Sequence, residues 1–491
     1  MKKIAVIAGA GPAGLTAAHE FCSRTDITPL VLEAGPGLGG AARTVQHRGN
    51  RMDVGGHRFF TSSPRVLDFW TRFLPLEGAC GRPGPDPERE DRVMLVRDRK
   101  SSVVFKGCYL TYPLTPEAAL VRCLGPAQLA GIAASYAKSR LFPMPEETLE
   151  GFLVNRFGRR LYEIFFKDYT QKVWGAGPER ILARWGRERI QELSAGLAAK
   201  NALRRLAGRP PAAGDVPKTL VERFLYPKYG PGQMWEEVAA DVVRMGGRIL
   251  TGHRVGGLRL ERDRVRSVKA EGPEGGVEIE ADYFFSTMPV ADLVEGIEPR
   301  PPALVLETAR GLEHRDFISV GVLANPGKGG AGGLPPGMDQ QWLYIQDTGY
   351  RAARVQIYNN WSPYLVADPG QWLLGVEYFT GPKDDLWAMT DPELARLAVS
   401  ELSALGLLRA SQVEDAVVMR QKNAYPAYFP PYRKFPLVRS FLDAVENLFL
   451  VGRSGMHRYN NMDHSMLTAM LAVDAVVREK TDKSLVWAAS A

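Results

Sequence analysis

The spacing of apolar positions changes twice near the start of the chain. Ile4 to Ala8 is a short unbroken apolar run, the length of a buried strand. Gly9-Ala10-Gly11-Pro12-Ala13-Gly14 interrupts it, and from Leu15 to Phe21 the pattern is helical. Pro29 to Leu32 reads again as a strand and ends at Glu33. The pattern predicts a β-α-β unit of about thirty residues. Gly35 to Gly40 is a loop, Arg51 to Thr61 is glycine-punctuated and aromatic, and Pro83 to Asp91 is a charged, proline-rich loop. From Pro116 to about Leu206 the pattern is mainly helical, and Arg209 to Asp215 reads as a Pro/Gly/Ala linker.

The second half returns to strands. Met234 to Arg244 is predicted as a helix, followed by strands at Arg248 to Val255, Val265 to Ala270, Val277 to Ile279 and Asp282 to Ser286. Ile318 to Val322, Trp342 to Ile345, Val355 to Tyr358 and Leu373 to Tyr378 are β-like runs. Asn447 to Val451 is a late strand, and Asp463 to Arg478 is a helix. No internal repeat is visible. The strands able to join the first unit are therefore scattered. The expectation is an α/β fold: a discontinuous Rossmann-like domain with an inserted helical region and an inserted sheet-rich substrate domain. The expected parts are a Rossmann unit over 1–95, a helical cap over 96–215, and a second nucleotide-domain part over 216–300. A sheet-rich substrate domain over 301–440 and a closing strand and helix over 441–491 complete the division.

Gly9, Gly11 and Gly14 fit G-x-G-x-x-G. The first glycine permits a tight turn, the second lets backbone approach a pyrophosphate, and the third lets helix and strand pack closely. The N-terminus of the following helix offers free N–H groups to phosphates, and Pro12 and Ala13 in the motif are candidate cofactor contacts. Glu33 stands where a carboxylate binds ribose hydroxyls. NAD and FAD share this fingerprint, so it does not choose between them.

Composition adds bounds. Length 491 favours two or three domains, and 45% hydrophobic with 24% charged residues is ordinary for a globular enzyme. The net charge of +7 is modest for this length, and no basic run is interleaved with aromatics, which argues against nucleic acid. Cys22, Cys80, Cys108 and Cys123 form no metal spacing and no disulfide framework, so no metal is expected and a reducing cytoplasm is the simplest compartment. Lys2 and Lys3 before an apolar run imitate an export signal, but the glycine spacing accounts for the same residues. No run of eighteen apolar residues occurs, so no membrane span is expected. Cys123 to Leu141 is fairly apolar. Membrane contact is left open there, and a buried helix is the favoured reading.

The stretch from Glu33 and Ala34 through Gly39-Gly40-Ala41-Ala42-Arg43 resembles the extended signature of the amine oxidase-like flavoproteins. In that superfamily a Gly-Gly pair and a following arginine continue the diphosphate cradle, which implies FAD. Three further segments resemble UDP-galactopyranose mutases and their relatives, among them the protoporphyrinogen oxidases. Asp53-Val54-Gly55-Gly56-His57-Arg58-Phe59-Phe60-Thr61 is similar to a loop that lies against the isoalloxazine, with His57 at its first histidine and Phe60 in place of the second. Tyr169-Thr170-Gln171-Lys172-Val173-Trp174-Gly175, with Arg189 downstream, is similar to the segment that contacts the sugar-nucleotide diphosphate. Its tryptophan lies on a mobile loop in the mutases, and an amphipathic helix end with a core tryptophan is the alternative. The run from Gly452 and Arg453 through Tyr459, Asn460, Asn461, Met462 and Asp463 resembles the closing motif beside flavin and diphosphate, with Asn461 replacing an acid. The Val255 backbone is placed by resemblance against adenine.

These resemblances imply an FAD-dependent oxidoreductase that moves a hydride from a sugar-like or sugar-nucleotide substrate to the flavin N5. A redox-neutral mutase, or a desaturase acting on a lipid-like substrate, is the alternative. His57 is the candidate base, against a structural histidine in a glycine loop. Tyr169, Trp174, Arg189, Tyr344, Tyr425, Arg453 and Tyr459 are the candidate substrate residues. Tyr344 and Tyr425 belong to an aromatic run that can equally be sheet core, and Glu377 is polar glue or a substrate hook. The sequence leaves oligomeric state open.

Overall fold

Five strands far apart in the sequence form one parallel sheet, in the order Leu448–Leu450, Tyr283–Ser286, Ile4–Ala8, Thr28–Glu33, Arg248–Thr251. The computed structural model describes residues 2–78, 83–112, 118–189, 222–328 and 335–489. Ile4–Ala8 lies at the centre, in register with Thr28–Leu32 on one side and with Tyr283–Ser286 on the other. Ala5, Val6 and Ile7 are fully buried, which is why the run is apolar without alternation. Helices Pro12–Arg24 and Met462–Val477 pack on each other beside this sheet. Gly14 lets the first helix pack closely on the strand Ile4–Ala8 and its loop, because a Cβ there would stand 1.9 Å from the Gly9 carbonyl oxygen. The α/β nucleotide-binding fold is therefore assembled from both ends and the middle of the chain.

The strand expected over Arg248 to Val255 is two strands. A turn with Gly252 at φ +69° separates Arg248–Thr251, in the parallel sheet, from Arg254–Glu261. The latter opens an antiparallel sheet with Arg264–Gly272 and Gly275–Glu280. Hydrogen bonds from Gly252 N–H to Gly35 O and from His253 N–H to Glu33 O set that break.

The second unit is a seven-stranded sheet in the order Val413–Pro426, His314–Ala324, Trp372–Thr380, Arg354–Ile357, Trp342–Ile345, Ser101–Phe105, Cys108–Thr111. Two of its parts were not expected. Val413–Pro426 carries charged residues on a half-buried sheet edge, which hides its strand character. The hairpin Ser101–Thr111 joins Trp342–Ile345 in parallel, so the region 96–215 is not helical throughout.

Its helices are Ala118–Leu141, Leu149–Phe157, Arg159–Tyr162, Asp168–Trp174 and Ala183–Arg189. The stretches between them are turns and short irregular or helical segments, while residues 190–206 of the expected helical run and the Arg209 to Asp215 linker lie outside the described residues. Ala118–Leu141 corrects the expectation of a buried helix: only Leu124 and Ser139 are buried in it. By length and composition it could cross a membrane, although no uninterrupted apolar run marks it. A third hydrophobic cluster, with Met52, Val54, Phe317, Trp342 and Tyr358, joins the loop at Asp53–His57 to the seven-stranded sheet.

Candidate active site

One wall is a nucleotide cradle. Helix Pro12–Arg24 begins with Pro12 and has Gly11 before it, with no side chain capping its first turn, so its leading N–H groups stay available. Glu33 receives the Ala10 N–H at 2.7 Å on one carboxylate oxygen and the Gly35 N–H at 2.8 Å on the other, so backbone on both sides fixes it. His253 N–H bonds to the Glu33 main-chain carbonyl, which brings the start of the Val255 strand to the end of strand Thr28–Glu33. The Gly39 N–H bonds to Ala10 O, laying the Gly40–Ala42 turn, with Ala41 at its centre, along the glycine loop. Gly40 Cα lies 3.8 Å from where a Gly11 Cβ would stand. Arg43 donates to Gly40 O at 2.9 Å and to Gln421, and burial lowers its pKa.

The closing segment completes this wall. A Cβ on Gly452 would meet the Ala13 side chain at 2.9 Å, so this turn presses on the first helix. Helix Met462–Val477 has Asn461 as its N-cap, again without a side-chain cap, and Asp463 in its first turn. Arg189 donates to Asn461 Oδ1 at 3.2 Å. The residue that departs from the resemblance thus ties the N-terminus of helix Met462–Val477 to Arg189.

The opposite wall is aromatic and cationic. Tyr344 stacks on Tyr112 with ring centroids 4.5 Å apart, and Trp342 and Tyr169 adjoin it at 5.7 and 6.3 Å. Tyr425 stacks on Tyr459 at 5.5 Å. The Arg189 guanidinium lies 4.1 Å over the Tyr459 ring, and that of Arg453 lies 5.2 Å from both rings. Arg453 donates to Asn460 O at 2.9 Å and to Ala424 O at 3.3 Å, and Arg354 reaches the Tyr425 hydroxyl at 3.4 Å. Burial raises the Tyr459 pKa, but Arg189, Arg453 and Arg354 more than offset it, so the phenol lies below the usual tyrosine range. Trp174 is only 3% exposed and sits edge-on to Trp185, with Tyr459 at 6.3 Å. It supports this wall from behind.

Between the walls runs the Gly55-Gly56-His57 loop. Gly55 is backed by the Phe317 ring and Gly56 by the Trp342 ring. His57 Nδ1 lies 2.9 Å from Gly55 O. A carbonyl only accepts, so Nδ1 carries the proton and Nε2 keeps its lone pair. Burial, with Arg453 and Arg354 nearby, pushes the His57 pKa down to about 4.

Sequence reasoning missed Arg354, Gln356 and Tyr112 and left Glu377 undecided. Arg354 and Gln356 sit two apart on one short strand, and a same-face polar pair in an apolar β run was the available signal. Arg354 pairs with fully buried Glu377, which also receives the Gln356 amide at 2.6 Å.

The parallel sheet, the glycine cradle and the uncapped N-terminus of helix Pro12–Arg24 fit the adenosine diphosphate of a dinucleotide, and define a dinucleotide-binding protein. More narrowly, the chain belongs to the flavin-containing amine oxidoreductase family, whose model matches residues 12–477. The cofactor is FAD. Among solved structures, reduced UDP-galactopyranose mutase shares the fold at TM-score 0.77 and 19% identity, over 99% of this chain and 97% of that one. Cyclohexylamine oxidase from Brevibacterium oxydans IH-35A matches at TM-score 0.63 and 16% identity, over 98% of this chain and 99% of its own. A fatty acid isomerase producing CLA from P. acnes matches at TM-score 0.58 and 13% identity, over 97% and 98%. These neighbours differ in reaction, so the shared fold leaves the chemistry to the site.

Proposed function

We propose that the protein is an FAD-dependent oxidoreductase whose substrate is a sugar-like molecule carrying a phosphate or diphosphate, of the sugar-nucleotide kind. The observation that carries this reading is the charge of the chamber. Arg189, Arg354 and Arg453 converge on the Tyr425–Tyr459 stack, and Glu377 pairs with Arg354 alone among them. Forked guanidinium donors match phosphate oxygens, and tyrosine rings suit a sugar or base. When bound, FAD supplies a hydride acceptor.

The chain orients the substrate and handles its proton. The arginines fix the anionic end, while Tyr169, Tyr344 and Tyr425 shield the rest from water. His57 Nε2 accepts a hydrogen bond from a substrate hydroxyl. An anionic substrate offsets the field of Arg453 and Arg354, which raises the basicity of His57 in the complex and readies it to take that proton.

The test is anaerobic mixing of the FAD-loaded protein with sugar nucleotides, sugar phosphates and neutral amines. Loss of oxidised-flavin absorbance with the phosphorylated sugars alone supports the reading. Bleaching only with the neutral amines overturns it. The redox-neutral mutase reading is favoured by the Tyr169, Arg189, Arg453 and Tyr459 set. It requires turnover only after pre-reduction, with no net oxidation of substrate.

A further inference from the structure

The helix Ala118–Leu141 stands out because its composition and its exposure disagree. A long apolar helix in a folded protein normally supplies core, yet this one buries only Leu124 and Ser139. At its end Leu141 is 74% exposed, Phe142 72%, and Val121 in the first turn 46%. Between Ala118 and Pro145 there is no acidic residue. Arg122, Lys138 and Arg140 are exposed there, and none forms an ion pair with a described residue. An exposed apolar face edged only by basic groups complements a surface that is apolar within and negative outside.

We propose that this helix docks the protein on an anionic phospholipid surface, lying along it and not crossing it. Two observations exclude a span. The helix is kinked at Gly125, with Pro126 following, and the straight part from Pro126 to Leu141 reaches only about 24 Å against about 30 Å of hydrocarbon. Its other flank is held by protein: Leu120, Cys123, Leu129 and Ile132 pack against Val103, Leu110 and Phe165. The Arg160 N–H bonds to Ser135 Oγ at 3.0 Å, and Gly158 approaches the Tyr136 backbone too closely for any Cβ. Lipid therefore reaches one face only, which is the geometry of an interfacial helix. A second copy of the chain fits this face less well, because the segment from Ala118 to Pro145 has no acidic residue to meet the basic groups of another copy.

The test uses the full FAD-loaded chain and sedimentation with vesicles of phosphatidylcholine alone or mixed with an equal share of phosphatidylglycerol. The expected result is binding to the mixed vesicles, weakened by salt, and little binding to phosphatidylcholine alone. Leu141→Glu with Phe142→Glu abolishes binding while the flavin spectrum stays that of the parent. Lys138→Gln with Arg140→Gln keeps the proposal testable should the first pair fail to fold, and lowers affinity about thirtyfold. Failure of the parent to sediment, or equal sedimentation of parent and both variants, overturns the proposal. So does a concentration-dependent dimer that Leu141→Glu with Phe142→Glu dissociates while vesicles have no effect.

Discussion

Arg354 and Glu377 face each other in direct register across two antiparallel strands and form an ion pair whose carboxylate is wholly buried. The same carboxylate receives the amide of Gln356 and the backbone N–H of Gly56. One group thus fixes both an arginine of the chamber and the loop that carries His57. Burial raises its pKa, and Arg354 opposes that rise.

Glu377→Gln leaves Arg354 buried without a counter-charge. Breaking such a pair costs about 3–5 kcal/mol, so denaturant unfolding of the variant should show a loss of that order. Inorganic pyrophosphate should restore more stability to the variant than to the parent, because the anion takes the place of the lost carboxylate. Equal stabilisation of the two proteins would mean that Arg354 does not face the anion site.

Arg189→Gln removes the cation stacked on Tyr459 and the donor to Asn461. The Tyr459 phenol should then titrate at higher pH, since Arg189 is the largest influence lowering it. Ultraviolet difference titration of the variant against the parent reads that shift directly. Affinity for pyrophosphate should fall about tenfold, the value of one charge-assisted hydrogen bond. An unchanged phenolate titration would place Arg189 elsewhere in solution.

Asp53 gives a pH dependence of opposite sign to ordinary acid denaturation. It is fully buried, accepts from Tyr226 and Thr44, and burial pushes its pKa up to about 7. The folded protein therefore holds this proton more tightly than the unfolded chain between pH 3.8 and 7. Its contribution to stability declines as pH rises through that window, by about 4 kcal/mol in all. Unfolding free energies across the window should show that decline superimposed on the other groups, and Asp53→Asn should remove it. A parent and variant with parallel profiles would refute the assignment.

The parallel sheet was legible because each of its strands is buried on both faces or lies beside a glycine turn, so the apolar runs at Ile4, Pro29, Asp282 and Asn447 carry their own signal. The edge strand Val413–Pro426 was not, since a half-buried edge admits charges that mask the alternation. The cofactor side of the site was legible for a related reason: a positive φ at Gly9 and Gly452, and close backbone approach at Gly14, restrict residue type. The chamber was less so. Tyr425 and Tyr459 lie 34 positions apart yet stack, and Arg354 meets Glu377 only once two strands pair. Trp174 reads as a ligand contact from its motif, but neighbouring Trp185 and Tyr459 bury it.

Gly11 and Gly14 separate binding from folding. At Gly14 an added Cβ would meet the Gly9 carbonyl at 1.9 Å, so helix and strand would have to part. Gly14→Ala should therefore lower the stability of the FAD-free protein by several kcal/mol or prevent folding. At Gly11 the backbone is extended, with φ −82°, and the nearest atom to an added Cβ is Gly40 Cα at an ordinary 3.8 Å. Gly11→Ala should leave the FAD-free protein as stable as the parent, within about 0.5 kcal/mol. The methyl group would occupy the space where a pyrophosphate approaches the backbone. Overpacking of about 3 kcal/mol there corresponds to a loss in FAD affinity of about a hundredfold. Denaturant unfolding of both FAD-free variants, with FAD titrations followed by flavin fluorescence, measures the two effects separately. A Gly11→Ala protein that takes up FAD as tightly as the parent would show that the diphosphate does not lie on this loop.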